Sequence, residues 1–174
     1  LQTDPEIWRF IREGSLDGIW FWDLENPEHE YMSPEFWRVF GFDPDTKEHL
    51  AAEWQDLIFP EDLEVAKRNV ALHMSDPNHP YDQIVRYKRA DGGVATVRCR
   101  GLAVRDKDGK AIRLLGTHQD ITAQQREMAA AQDELEILFN TVTNGIVAFD
   151  EHGIIVSCNN HARHLLGGIS TATP

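Results

Sequence analysis

Apolar residues first recur at helical spacing between residues 4 and 13, where Ile7, Phe10 and Ile11 share one face. Asp4 can cap this helix, Pro5 suits its first position, and Gly14 ends it. The period then changes. Residues 18–24 read Gly-Ile-Trp-Phe-Trp-Asp-Leu, a strand with Ile19 and Phe21 on one face and Trp20 and Trp22 on the other. A strand apolar on both faces needs a layer on each side. One layer is the domain's own helices. The other is the first helix, a later helix or a second subunit.

A turn at Asn26-Pro27-Glu28 leads to a short strand over residues 30–32. Ser33-Pro34-Glu35 then starts a helix that carries Phe36, Trp37 and Phe40 and stops at Gly41. Residues 47–58 hold another helical pattern. Pro60-Glu61-Asp62 opens a further helix bearing Leu63, Val65, Ala66, Val70 and Leu72, and residues 75–80 break it. Three strands follow, over residues 81–89, 94–104 and 111–121. Asp91-Gly92 and Asp108-Gly109 mark the two hairpins between them. Ala95, Val97, Cys99, Gly101 and Ala103 form a small apolar face on the middle strand. Two strands, several short helices and a three-stranded meander predict an α+β fold. Its one antiparallel sheet of about five strands has short helices gathered on one face.

A long helix is predicted from Thr122, with Thr122 and Gln125 at the spacing of a capping box. Ile121, Met128, Leu135 and Val142 recur every seven residues, and Ala131 and Leu138 fill the position three residues on. Gln124 is the polar exception. That seam, about three heptads long, predicts either a coiled-coil linker or an amphipathic helix lying on its own domain. Beyond it, Asn144-Gly145-Ile146-Val147-Ala148-Phe149-Asp150 repeats the frame of Asp17-Gly18-Ile19-Trp20-Phe21-Trp22-Asp23 at a constant offset of 127 residues. Residues 158–167 then match residues 32–41. So long a repeat signals tandem domains, of which the second breaks off before most of its sheet. It is expected to be poorly ordered unless another chain covers it.

The chain of 174 residues holds 17 Lys plus Arg against 29 Asp plus Glu, a net charge of −12, which argues against nucleic acid and anionic membrane as partners. Two cysteines without a framework of spacings suit a reducing, cytoplasmic compartment. No apolar run reaches the roughly 20 residues of a membrane span. The first residue is not Met, so the sequence reads as an excised fragment.

With these elements placed, residues 14–122 resemble a PAS domain with its PAC end. Five motifs carry the resemblance: Asp17-Gly18-Ile19-Trp20, Phe59-Pro60-Glu61-Asp62, Tyr87-Lys88-Arg89-Ala90-Asp91-Gly92, Val104-Arg105-Asp106-Lys107-Asp108-Gly109, and residues 116–122. Residues 135–168 resemble the front third of a second such domain. The division expected is a flanking helix at 1–13, a PAS/PAC domain at 14–121, a signalling helix at 122–143 and the start of a second PAS domain at 144–174. The resemblance implies a sensor or dimerisation module of a bacterial signalling protein, a histidine kinase or diguanylate cyclase. The two readings are a sensory module that relays a change through the linker helix, and a constitutive dimerisation or protein-binding module with a filled core. A homodimer through the flanking helices is expected in either case. None of the output machinery is present, and Ser15, Ser33 and Ser157 lack a base motif, so no enzyme is read here.

In such domains the ligand lies between the helices and the inner sheet face. By strand parity and family position the inward residues are Trp20, Trp22, Val85, Tyr87, Val97, Cys99, Gly101 and His118, with Trp37 and Phe40 from the helices. They either fill the core or enclose a small apolar or aromatic ligand held by one or two polar groups. His118 is the best polar candidate. It stands two residues before Asp120, where the family's light-sensing branch contacts flavin. That branch's reactive cysteine motif is absent, so no photochemical flavin adduct is expected. Haem ligation through His73, near the end of its helix, is the other option, but a lone His on a solvated helix end is more often simply exposed, and haem is not expected either. Cys158, His161 and His164 have ligand types that suit zinc, but the spacing is not a familiar signature, and no metal is assigned. Asp120, Ile121 and Thr122 form the junction from sheet to signalling helix.

Overall fold

The computed structural model describes residues 17–167, so the helix expected over residues 4–13 lies outside the described residues. The chain divides into two compact units, one ending at Ala123 and the other beginning at Gln124.

In the first unit the alternating segments become strands β1 (Gly18–Asp23), β2 (Glu30–Met32), β3 (Tyr81–Lys88), β4 (Val94–Arg105) and β5 (Ala111–Asp120). They form one antiparallel sheet in the order β2-β1-β5-β4-β3. In β3 burial alternates strictly, with Tyr81, Gln83, Val85 and Tyr87 inward. The hairpin turns need left-handed glycines, and Gly92 and Gly109 supply φ of 83° and 82°. The Asp91 carboxylate accepts the Gly93 N–H at 2.8 Å, so the turn closes on its own side chain.

Between β2 and β3 run helices α1 (Pro34–Val39), α2 (Ala51–Gln55) and α3 (Pro60–Ser75). The helical pattern expected over residues 47–58 is realised only as the five-residue α2, with a 3-10 turn at Pro44–Thr46 ahead of it. The cause is a competing ladder. The Glu30 N–H donates to His49 O and the Ala51 N–H to Glu28 O, which holds residues 48–50 extended beside β2. The helices pack on one sheet face around Trp20, Phe36, Trp37, Phe40, Val85, Tyr87, Val97 and Leu114.

Helix α4 (Thr122–Thr141) follows β5 directly. The second unit then holds the hairpin β6 (Val147–Phe149) and β7 (Ile155–Cys158) and helix α5 (Asn160–Leu165). It repeats a detail of the first. There, Ser33 and Ile19 exchange two bonds: the Ile19 N–H donates to Ser33 Oγ at 3.1 Å, and the Ser33 N–H to Ile19 O at 2.8 Å. Here, Asn159 and Ile146 do the same, at 3.0 Å in both directions. Ser33 and Asn159 are both fully buried and lie just ahead of their helices. In both copies the glycine at the head of the first strand segment faces that helix, Gly18 opening β1 against Phe36 and Gly145 just ahead of β6 against Ala162. The second unit leaves Phe149, Ile154, Val156 and Leu165 exposed, since it has no further strands among the described residues to cover them.

Candidate functional site

A cavity of about 210 Å³ lies between the inner sheet face and helices α2 and α3. Trp20, Trp22, Tyr87, Cys99 and His118 line it, as strand parity places them. Five other expected residues do not. Trp37 and Phe40 are buried behind the cavity in the aromatic cluster of Phe36, whose ring lies 5.0 and 4.8 Å from theirs. Val85 and Val97 are core residues. Gly101 is covered by the indole of Trp20. A Cβ there would meet Trp20 Cζ2 at 2.7 Å and Leu115 O at 2.9 Å, so the indole takes the space that Gly101 leaves.

Helix α3 supplies the wall that the sequence reading did not assign. Leu63, Ala66, Val70 and Met74 face the cavity at helical spacing. Trp54 of α2 and Glu30 and Met32 of β2 complete it. Glu30 was also missed. It pairs with Trp22 across the strands and so shares the inward face with Met32. A charged residue in a three-residue strand reads as exposed, yet parity from Met32 points it inward.

The polar groups differ in how they are satisfied. Glu30 is 6% exposed, and its Oε2 accepts the Trp54 Nε1–H at 2.7 Å. Burial raises its carboxyl from 4.5 to about 7, against the smaller opposing effect of that bond. Gln83 donates to the Tyr81 hydroxyl at 3.0 Å and accepts from Asn69 at 2.8 Å. Burial pushes the Cys99 thiol up to about 12, so it stays protonated. His118 is 3% exposed, and burial lowers its imidazole to about 3, so it is neutral. Its Nδ1 is buried without a hydrogen-bond partner, and so is Trp20 Nε1. A buried polar atom left without a partner costs about 1–3 kcal/mol.

His73 does not lie on a solvated helix end. It is 8% exposed, and both ring nitrogens are used. Nε2 accepts the Ala103 N–H at 3.0 Å, which leaves Nδ1 as the donor to His79 O. Neither nitrogen is left for an iron atom. Cys158 is buried at the end of β7, whereas His161 and His164 are exposed on α5. Among the described residues no group of three or more His, Cys, Asp and Glu could hold a metal ion.

At the end of β5 the Asp120 carboxylate gathers the junction. It accepts the Thr122 N–H at 2.9 Å, the Thr122 hydroxyl and the Arg89 guanidinium. Burial favours its neutral form, but the Thr122 and Arg89 bonds outweigh that and hold it below the usual carboxylate range. Arg89 also donates to Val39 O at the end of α1. The Asp120 N–H donates to the Asp17 carboxylate at 2.6 Å. The capping box of Thr122 and Gln125 does not form. The Thr122 hydroxyl instead takes the Thr96 N–H of β4 at 2.8 Å, and Asp120 does the capping. Ile121, 8% exposed, donates its N–H to Thr96 O at 2.9 Å. On α4, Met128, Leu135 and Leu138 are exposed, the first two by 69% and 67%, and so is Val142 just past its end.

This architecture has known counterparts. A family model of the PAS fold matches residues 29–118, and a PAS domain model matches residues 133–173. An uncharacterised protein of Sinorhizobium fredii, y4lL, is 32% identical over 108 residues, or 62% of this chain. The chain spans about 13% of that relative's length. Among solved structures, a sensory box histidine kinase/response regulator from Burkholderia thailandensis superposes with a TM-score of 0.62 at 23% identity, covering 75% of this chain and 96% of that one. The N-terminal domain of a diguanylate cyclase with PAS/PAC sensor from Marinobacter aquaeolei gives 0.53 at 19% identity, covering 62% and 97%. A PAS domain from Colwellia psychrerythraea gives 0.53 at 15%, covering 68% and 97%. At these identities the structures show a common fold. The first model covers β2 to most of β5 with the helices between them, and the second begins within α4 and runs through β6, β7 and α5, so the chain belongs to the PAS family and carries a second PAS segment.

Proposed function

We propose that the chain is a sensory module of a bacterial signal-transduction protein of the histidine kinase or diguanylate cyclase kind. A small ligand enters the cavity between the sheet and α3. The change it makes passes through Asp120, Ile121 and Thr122 into α4, and α4 carries it to an output domain. A homodimer forms through the exposed stripe of α4, and the module works in the cytoplasm; among the described residues no helix is long and apolar enough to cross a membrane. The observation that carries the reading is the cavity of about 210 Å³ with the unpartnered His118 Nδ1 in its wall. A filled core offers neither the space nor the unused polar atom.

The stripe of Met128, Leu135, Leu138 and Val142 favours a second reading, a constitutive dimerisation module whose cavity holds nothing. Native mass spectrometry of the purified chain separates the two. A dimer carrying a non-covalent small-molecule adduct supports the sensor. A dimer with no adduct after exposure to cell extract supports the dimerisation module.

A further inference from the structure

The wall of the cavity has an unusual chemistry. Five aromatic rings face it from three elements: Trp20 and Trp22 of β1, Trp54 of α2, and Tyr81 and Tyr87 of β3. Glu30 is the one carboxyl among them. Its Oε2 takes the Trp54 bond, and Oε1 accepts no hydrogen bond among the described residues. Among the described residues no basic side chain pairs with it. Lys67 is the one basic residue of the lining, and its ammonium pairs with Glu64 at 3.2 Å on the exposed side of α3. An uncompensated buried carboxylate is costly, and burial keeps this one partly protonated near neutral pH. The aromatic faces carry negative quadrupoles, which favour a cation.

From this we propose that the ligand is a small organic monocation, an amine carried as its ammonium ion, with its nitrogen against Glu30 and its body among the aromatic rings. The proposal rests on the reading that the cavity binds a ligand, and it names that ligand's class. Size fits a compact amine. A cavity of about 150 Å³ admits benzene, so the 210 Å³ here has room for one ring and a short amino side chain. His118 adds a second requirement. His118 lines the cavity and its Nδ1 has no partner, which favours a ligand that also carries a polar atom, such as a hydroxyl. An anion is disfavoured by Glu30, and a bare metal ion by the lack of clustered ligands among the described residues.

Three matched probes test the class: tyramine, tyrosol and para-hydroxyphenylacetate share a ring and a phenol and differ in charge. Each is titrated into the labelled chain while the indole N–H resonances of Trp20, Trp22 and Trp54 are followed. Tyramine is expected to shift them with an affinity about 10- to 100-fold above tyrosol, the scale of one charge-assisted bond. The anion is expected to bind more weakly still. In Glu30→Gln, which keeps an acceptor for Trp54, the preference for tyramine over tyrosol should disappear. The probe comparison on the unaltered chain holds even where that variant fails to fold. Equal binding of all three probes, or tighter binding of the anion, overturns the amine and leaves the ligand site standing. If no probe at millimolar concentration moves any indole signal, the amine and the ligand reading fall together. Shifts that persist when Ala66→Phe fills the cavity place the probe elsewhere and also overturn the proposal.

Discussion

At the scale of single residues, Glu30 sets a pH dependence. In the folded chain its carboxyl keeps the proton up to about pH 7, whereas an unfolded chain releases it near 4.5. Between those values the folded state binds more protons, so stability falls as pH rises and levels off above 7. The loss is at most about 3 kcal/mol. Below about pH 6.5 the buried His118, whose imidazole is lowered to about 3, works in the opposite sense. The Glu30 share is therefore read as the difference between the unaltered chain and Glu30→Gln in urea unfolding from pH 4.5 to 8. The advantage of the unaltered chain should shrink as pH rises. The space around the rings gives a second expectation. Cys99 borders the cavity, so Cys99→Leu is expected to change stability by less than about 1 kcal/mol. Gly101→Ala drives a methyl into the Trp20 indole and should cost about 1–3 kcal/mol in the same assay. His118 and Cys99 were legible from strand parity. Glu30 was not, because its burial comes from Trp54, 24 residues away in sequence. Gly101 was misjudged because parity gives the face of a side chain and not the reach of the indole opposite.

At the scale of elements, the junction is a hydrogen-bonded corner. Asp120 joins β5 to α4 through Thr122, and Arg89 ties the same carboxylate to the end of α1. Asp120→Ala is expected to leave the domain folded, at a cost of about 1–3 kcal/mol in denaturant unfolding. In the full-length protein it should make output insensitive to signal. A folded variant whose output responds normally would show that coupling runs through other contacts. Strands and hairpins were readable from alternation and from Asp-Gly turns, which are local signals. The capping box failed because Thr122 had a nonlocal choice. The Thr96 N–H of β4 claims its hydroxyl, and no spacing within the helix reveals that.

For the whole molecule, the exposed stripe of α4 is the surface proposed for assembly. Light scattering at high micromolar concentration is expected to give a dimer, and Leu135→Glu with Leu138→Glu should give a monomer. A monomer in the unaltered chain would remove the stripe as an interface. Tandem organisation was visible as a repeat of sequence frame. The cavity was only half visible, since parity identifies inward strand residues but cannot tell which helix closes over them. Here α3 does so with Leu63, Ala66, Val70 and Met74, while the aromatics of α1 are spent on the core.

The buried fastening between strand and helix start has a consequence for how the chain acquires its structure. Ser33 and Ile19 are 14 residues apart, and Asn159 and Ile146 are 13 apart. Closing so short a loop is cheap in chain entropy, whereas joining β1 to β5 closes a loop of nearly the whole domain. Each copy therefore owns a local nucleus that can form before its distant strands arrive. During synthesis the front of the second copy can organise as it emerges, independent of the first. Ser33→Ala is expected to slow refolding in stopped-flow measurements while changing the unfolding rate little. A variant that instead unfolds faster, with its refolding rate unchanged, would place this fastening after the rate-limiting step.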